Sequence, residues 1–272
     1  MANKYTLSVI IPVFKYLQNG KYLTDLLYRI QNQSESKFNI IEVILINDSP
    51  EYKLESIFEP IDIDIKIKII NNEKNFGQAF SRNIGKSIAK GDYLHFIDQD
   101  DLIDFDFYSN ISQVNDLIFA NCYLFNDFKT VLHMKNSKQK LLSIFKKVSS
   151  LKFFLIFDNI ILSPGQMIIK RNIFNVAGDF PLLNNFGSDD YGFMYIISNL
   201  PINYTFSKKS FFYHRLHDNQ GKNILNMVAS KKEFLKNYKD ENIIFKKLCL
   251  IDIFPINFIK KASYLFFYNR LV

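Results

Sequence analysis

Apolar residues recur along the first hundred positions in two alternating patterns. Tyr5 to Val13 is a short β-branched run closed by proline, and Ile40 to Ile46 is a second; both read as strands buried on two faces. Ile65 to Ile70 alternates with lysines and reads as a third strand, and Tyr93 to Ile97 as a fourth. Between them, Leu23, Leu26, Leu27 and Ile30 stand at helical spacing within Lys21–Gln33. Phe76 to Lys90 is a second helix, with Gly91 as its stop signal. Further on, Leu117–Ala120 reads as a strand, Ser163–Lys170 as a loop leading into another, and Phe186–Phe193 as a loop entering a helix.

Strands separated by helices imply a mainly parallel, Rossmann-like sheet flanked by helices. Such sheets bind ligands beyond the carboxyl ends of their strands. Polar residues fall at those ends here: Lys15, Asp48, Asn71 and Asn72, and the run Asp98-Gln99-Asp100-Asp101. The expected domain spans residues 1–222, with a nucleotide-binding half over about 1–125 and an acceptor half over about 126–222. A helical carboxy-terminal extension over 223–272 completes the chain.

Composition narrows this picture. The 272 residues are 48% hydrophobic, enough for a sizeable core, and nine Gly and seven Pro argue against low complexity. Cys122 and Cys249 are too few for a disulfide framework and are expected as small buried hydrophobes. Met1-Ala2-Asn3-Lys4 runs straight into the first strand, so no secretory leader is expected, and no apolar run reaches membrane-spanning length. A cytoplasmic location is expected, with peripheral contact at the inner face of the membrane as a variant. The net charge of +7 is uneven: Phe128–Phe157 holds seven lysines and no acid, and Lys231–Val272 nine basic residues against four acidic. A solvated lysine-rich face and an anionic partner both fit this pattern. No nucleic-acid module is present, so no nucleic-acid partner is expected.

Two phosphate devices are missing. No G-x-G-x-x-G follows the first strand, and Gly85-Lys86-Ser87 copies the end of a P-loop but lies in a helical pattern with Phe80 where a glycine belongs. What remains is acidic. Asp98 and Asp100 stand two apart, and in an extended segment they would point the same way. Such a pair suits a hard divalent cation, Mn²⁺ or Mg²⁺, bridging to a diphosphate.

In their order, Ser8-Val9-Ile10-Ile11-Pro12-Val13-Phe14, Glu42-Val43-Ile44-Leu45-Ile46-Asn47-Asp48, Asn75 to Gly85 and Ala89 to Asp101 resemble the signature of family 2 glycosyltransferases with the GT-A fold. The bacterial cell-surface glycan type is the nearest pattern. The likeness is close over about 5–110 and loose to about 220. It implies an inverting transfer of a sugar from a metal-bound nucleoside diphosphate, here a UDP-sugar, to a glycan, lipid-linked or protein-linked acceptor. It further implies that Pro12, Phe14, Asp48, Asn75, Arg82, Asp98, Gln99 and Asp100 line the donor site, with Asp48 at the base, Asp98 at the ribose and Asp100 on the metal. Lys15 stands where the family often has asparagine, and Asn47 and Ser49-Pro50 replace part of the usual Asp-Asp-Gly-Ser.

Inverting transfer needs a carboxylate to take the acceptor proton. Ser188-Asp189-Asp190 stands in place of the family's Gly-Glu-Asp stretch, and alignment on Phe193 makes Asp190 the base and Asp189 its structural or acceptor-binding neighbour. The alternative is an Asp pair that merely caps a helix. In Tyr213-His214-Arg215-Leu216-His217 the resemblance makes His217 a second metal contact, whereas His95 reads as a satisfied core or interface histidine. Leu225–Tyr238, Asn242–Leu250 and Asn257–Tyr268 read as basic helices that would lie on a membrane, on the core, or in a homo-oligomer interface. Rival functions are a non-catalytic sugar-nucleotide-binding subunit and, lower, a haloacid-dehalogenase-type phosphatase, whose D-x-D usually follows the first strand rather than the fourth.

Overall fold

The computed structural model describes residues 4–54, 64–125, 131–132, 161–184, 187–216 and 224–239, with the single positions 151, 155, 159 and 249. The strands are β1 (Tyr5–Val13), β2 (Phe38–Asn47), β3 (Ile67–Asn71), β4 (Tyr93–Phe96), β5 (Leu102–Ile103), β6 (Leu117–Phe125), β7 (Val131–Leu132), β8 (Met167–Lys170) and β9 (Tyr204–Arg215). The α-helices are α1 (Tyr16–Gln31), α2 (Gln78–Ile88), α3 (Phe174–Ala177), α4 (Asp189–Ile197) and α5 (Ile224–Asn237). All strands share one sheet in the order β3-β2-β1-β4-β8-β6-β9-β5, with β7 on β6.

The amino-terminal half is wholly parallel, as the alternating strands and helices require: β1 pairs with β2 and β4, and β2 with β3. The second half is mixed. β8 lies antiparallel between β4 and β6, and β9 then runs parallel to β6. The expectation of a mainly parallel sheet therefore narrows to that first half, because β8 returns against β4 rather than through a right-handed crossover.

The apolar runs are continuous because both faces of the sheet are covered. Leu7, Val9, Ile11 and Val13 of β1 join Val43 and Leu45 of β2 under Leu23, Leu26, Leu27 and Ile30 of α1. Ile10, Ile44 and Ile46 point the other way, with Leu94 and Phe96 of β4, toward Ala79, Ile84 and Ile88 of α2 and the aromatic residues of α4. Gly85 lets α2 come down on β1, since a Cβ there would run into the Ile10 side chain. That contact absorbs the P-loop look-alike.

Gly91 does a different job from the expected helix stop. Ala89 ends α2 in an extended conformation. A Cβ on Gly91 would lie 2.5 Å from the Ser8 nitrogen and 2.8 Å from the Leu7 carbonyl carbon and the Tyr93 oxygen. Both cysteines are free and buried, as expected. His95 is fully buried as well, with Nδ1 2.8 Å from the Tyr108 hydroxyl and Nε2 2.8 Å from the Gly165 carbonyl. The carbonyl can only accept, so Nε2 carries the proton, and burial pulls the pKa down to about 4.

The C-terminal helix α5 packs on α4: Tyr195 meets Phe234 and Tyr238, and Ser188 Oγ donates to the Met227 carbonyl at 2.8 Å. Among the described residues no helix is long and apolar enough to cross a membrane. The two further helices expected beyond α5 lie outside the described residues, apart from Cys249.

Because the atoms facing Gly91 are backbone, Gly91→Ala should cost about 1–3 kcal/mol through overpacking. Urea unfolding would show it as a lower midpoint with an unchanged slope.

Candidate active site

The parallel strands deliver their ends to one edge. Asp48, just after β2, is 3% exposed. Its Oδ1 accepts from Asn72 Nδ2 at 2.7 Å and the Phe76 N–H at 2.9 Å, and its Oδ2 from the Gly77 N–H at 2.8 Å. Asn75 Oδ1 accepts from the same Gly77 N–H at 3.0 Å. Gly77 has φ 89°, a conformation glycine adopts readily, and it opens α2. Asp48 and Asn75 together thus shape the entry to α2.

The departures from the family pattern serve the backbone too. Asn47 Nδ2 donates to the Tyr52 carbonyl at 2.7 Å and Asn71 Oδ1 at 2.8 Å, while Ser49 Oγ accepts from the Lys15 N–H at 2.9 Å. Lys15 is left-handed, φ 49° and ψ 50°. Asparagine tolerates that region better than lysine, which gives a backbone reason for the family's usual residue.

Asp98 to Asp101 form a turn closed by the Asp101 N–H on the Asp98 carbonyl at 3.1 Å. The premise of an extended D-x-D is therefore corrected: β4 ends at Phe96, and strand alternation does not align Asp98 with Asp100. Gln99 fastens the turn to the end of β1, accepting from the Phe14 N–H at 3.2 Å and donating to the Phe14 carbonyl at 2.7 Å. Pro12 is buried in β1, whereas the Phe14 ring is 37% exposed at the edge.

Asp101, fully buried, anchors the turn from below. It lies 3.0 Å from His214 Nδ1 and accepts from the Arg215 N–H at 2.9 Å. Ser163 Oγ sits 3.2 Å from Asp98 Oδ2 and 3.3 Å from Asp101 Oδ2, donating to one at a time. Burial opposes charge on His214, but Asp101, Asp98 and Asp100 outweigh it and raise the pKa to about 9. Arg215 Nε donates to the Asp100 carbonyl at 2.8 Å, and its guanidinium rests on the rings of Tyr22 and Phe125 at 3.8 and 4.3 Å.

Arg82 joins the two halves. Only 2% exposed, it donates through Nη2 to Asp98 Oδ1 at 2.6 Å and through Nη1 to Asp189 Oδ2 at 2.5 Å. Burial works against its charge, and the two carboxylates more than restore it, holding the pKa above the usual arginine value. Asp189 and Asp190 occupy the first turn of α4, a helix otherwise packed into the core. Asp190 Oδ1 accepts from the Tyr191 N–H at 2.7 Å and Oδ2 from Asn159 Nδ2 at 2.7 Å. Withdrawal from water, and then the charge of Asp189, lift its pKa to about 7.

Arg82, Asp98, Asp189 and Asp190 thus converge. Gln99 and Phe14 flank the turn, and Asp48 and Asn75 flank the start of α2. Arg82 turns toward carboxylates beneath the edge rather than out of it. His217 lies outside the described residues. Among those described, no three His, Cys, Asp or Glu side chains are grouped to hold a metal ion. Asn159, Ser163, Asp101 and His214 are structural partners that sequence reasoning did not single out. Asp101 and His214 lie inside the motifs quoted above, whereas no local pattern marks Asn159.

Residues 8–175 match the family model described as Glycosyl transferase family 2. The chain belongs to this family. A relative from Methanocaldococcus jannaschii, called an uncharacterized glycosyltransferase, is 28% identical over 193 residues, which is 68% of this chain. The aligned part spans 62% of that relative's length. Among solved structures, S. aureus TarS 1–349 in complex with UDP-GlcNAc superposes with a TM-score of 0.64 at 20% identity, covering 95% of this chain and 74% of that one. GalNAc-T7 with UDP, GalNAc and Mn²⁺ gives 0.63 at 16%, covering 89% and 49%. Their common GT-A fold is the fold of this family 2 chain.

Two outcomes follow for the cluster. Arg82→Ala should destabilise the protein by about 3–5 kcal/mol, because it strands two carboxylates together; denaturant titration measures this. A raised carboxyl pKa means the folded state keeps a proton that the unfolded chain loses first, so stability from Asp190 falls as pH rises from about 4 to about 7. Asp190→Asn should accordingly raise the melting temperature at pH 8 and leave it nearly unchanged at pH 4; an equal gain at both would contradict the raised pKa.

Proposed function

We propose that this chain is an inverting glycosyltransferase that moves a sugar from a metal-bound UDP-sugar to an acceptor hydroxyl. The observation that carries this reading is the unequal treatment of two neighbouring carboxylates: Asp189 is ion-paired to Arg82, and Asp190 is held near neutrality by its surroundings. A base must be ionised enough to accept a proton and basic enough to keep it, and a pKa near the working pH satisfies both. Asp190 is that base. Asp189, locked on Arg82, is its structural neighbour.

In the reaction, the acceptor O–H bond breaks onto an Asp190 oxygen while the acceptor oxygen bonds to the anomeric carbon. The bond from that carbon to the diphosphate breaks on the opposite face, which inverts the centre. The donor lies along the strand-end edge, with its base by Phe14, Asp48 and Asn75 and its ribose by Asp98. Pro12, Gln99 and Arg82 fix the walls.

By the family resemblance Asp100 is the metal-binding carboxylate of the run and His217 the second protein contact; the pairing of Asp98 with Arg82 and of Asp101 with His214 is compatible with that assignment. A carboxylate, an imidazole and diphosphate oxygens would suit Mn²⁺ or Mg²⁺. Such a cation, when bound, neutralises charge on the departing diphosphate. TarS solved with UDP-GlcNAc and GalNAc-T7 solved with UDP and Mn²⁺ support this donor and metal. The pairing of Asp98 with buried Arg82 disfavours the phosphatase reading, in which Asp98 would be the nucleophile. The acceptor is a glycan, lipid-linked or protein-linked, in bacterial surface polysaccharide or glycoprotein synthesis, at a cytoplasmic site.

Incubation with Mn²⁺ and each of UDP-glucose, UDP-galactose, UDP-GlcNAc and UDP-GalNAc should release UDP from one of them, and Asp100→Ala should abolish that release. Asp190→Asn should lower turnover by at least a thousandfold while UDP binding stays within about threefold. Absence of both turnover and metal-dependent UDP binding would refute the transferase reading.

A further inference from the structure

The two aspartates that open α4 meet partners of different kinds. Asp189 faces a guanidinium, which can only donate and never loses its charge. Asp190 faces the side-chain amide of Asn159, 2.7 Å from Oδ2, and its other oxygen takes the Tyr191 N–H. Asn159 reaches it from a segment 31 positions earlier in the chain.

An amide suits a group that changes protonation state. It is neutral, so it does not lock the carboxylate in its ionised form as Arg82 does Asp189. It also carries a donor and an acceptor: Nδ2 serves the carboxylate, and a half-turn would bring Oδ1 to accept from the carboxylic acid. An apolar residue there would remove the Oδ2 donor, leave the Tyr191 N–H as the hydrogen bond to Asp190 among the described residues, and favour the protonated form.

We propose that Asn159 is a positioning residue for the base, fixing the rotamer of Asp190 and supporting it both before and after it takes the acceptor proton. This rests on the reading of Asp190 as the base. Among the described residues, the charged groups around Asp190 are Asp189 beside it on α4, Asp98 just after β4 and Arg82 on α2. Lys231 of α5 stands 4.4 Å from the ring centroid of the adjacent Tyr191. None of these replaces the donor that Asn159 supplies to Oδ2.

The experiment compares the full chain with Asn159→Ala, the isosteric Asn159→Asp and Asp190→Asn, using the UDP-sugar turned over fastest with Mn²⁺. Losing one hydrogen bond to the ionised form should move the acid limb of kcat upward by about one pH unit. Asn159→Ala should therefore be about tenfold slow at pH 6, recover to within threefold of the parent at pH 9, and keep its donor KM within twofold. Asn159→Asp, which sets a second carboxyl against the first, should move the limb further in the same direction.

A second readout needs no donor. The pH at which the stabilisation by Asp190→Asn levels off should rise by the same unit when Asn159 is alanine. If Asn159→Ala does not fold, the limb in Asn159→Asp decides alone. An unmoved limb, or a loss of kcat that is equal at every pH, would overturn the proposal by reducing Asn159 to a packing residue. Retained transfer in Asp190→Asn would overturn the base reading itself, and the proposal with it.

Discussion

A guanidinium shut away from water is unstable unless its charge is answered, and Arg82 is answered twice. The converse matters as much. Asp98 comes from the end of β4 and Asp189 from the start of α4, and with Asp190 beside them they form a crowd of like charge. A cation between them is what lets both elements keep their carboxylates ionised at this place. Arg82 therefore fixes more than its own rotamer: it sets the separation between the Asp98–Asp101 turn and the helix that carries the proposed base. The aromatic face of Phe180, 5.7 Å below the guanidinium and stacked on Phe193, extends that constraint into the core.

A second ion pair holds the same turn. His214 and Asp101 hold the base of the turn from β9, and Ser163 touches both Asp98 and Asp101. Gln99 ties the top of the turn to β1 through the Phe14 backbone. With Arg82 of α2, four separate stretches of chain thus position the side chains of Asp98, Gln99 and Asp101 within one four-residue run. Rigid placement of this kind is what electrostatic stabilisation of a leaving group demands.

Much of this was legible in the residues. β1, β2 and β4 announced themselves because both faces are buried, which leaves uninterrupted apolar runs, and α1 because Leu23, Leu26, Leu27 and Ile30 keep its period. The polar edge followed from where those strands stop. What could not be read was pairwise and distant. The antiparallel seat of β8 between β4 and β6 is a property of register, and nothing local to Met167–Lys170 encodes its neighbours. Arg82 was placed in the site, but the carboxylates it serves lie 16 and 107 positions away. Gly91 signals a helix end in sequence, while its real constraint is the Ser8 backbone. Asn159 has no periodic or motif context, so only coordinates reveal it beside Asp190.

The sheet itself carries a consequence for how such a protein can diversify. β4 is hydrogen-bonded to β1 on one side and β8 on the other, so the parallel half and the mixed half share one uninterrupted sheet. Enzymes built as two lobes can retune specificity by altering how far a cleft swings shut. Here the floor beneath the polar edge is a single continuous sheet, and changes in specificity would enter through the segments laid on top of it. The strand ends can stay constant across descendants that handle unrelated sugars, while the connections around them are rewritten.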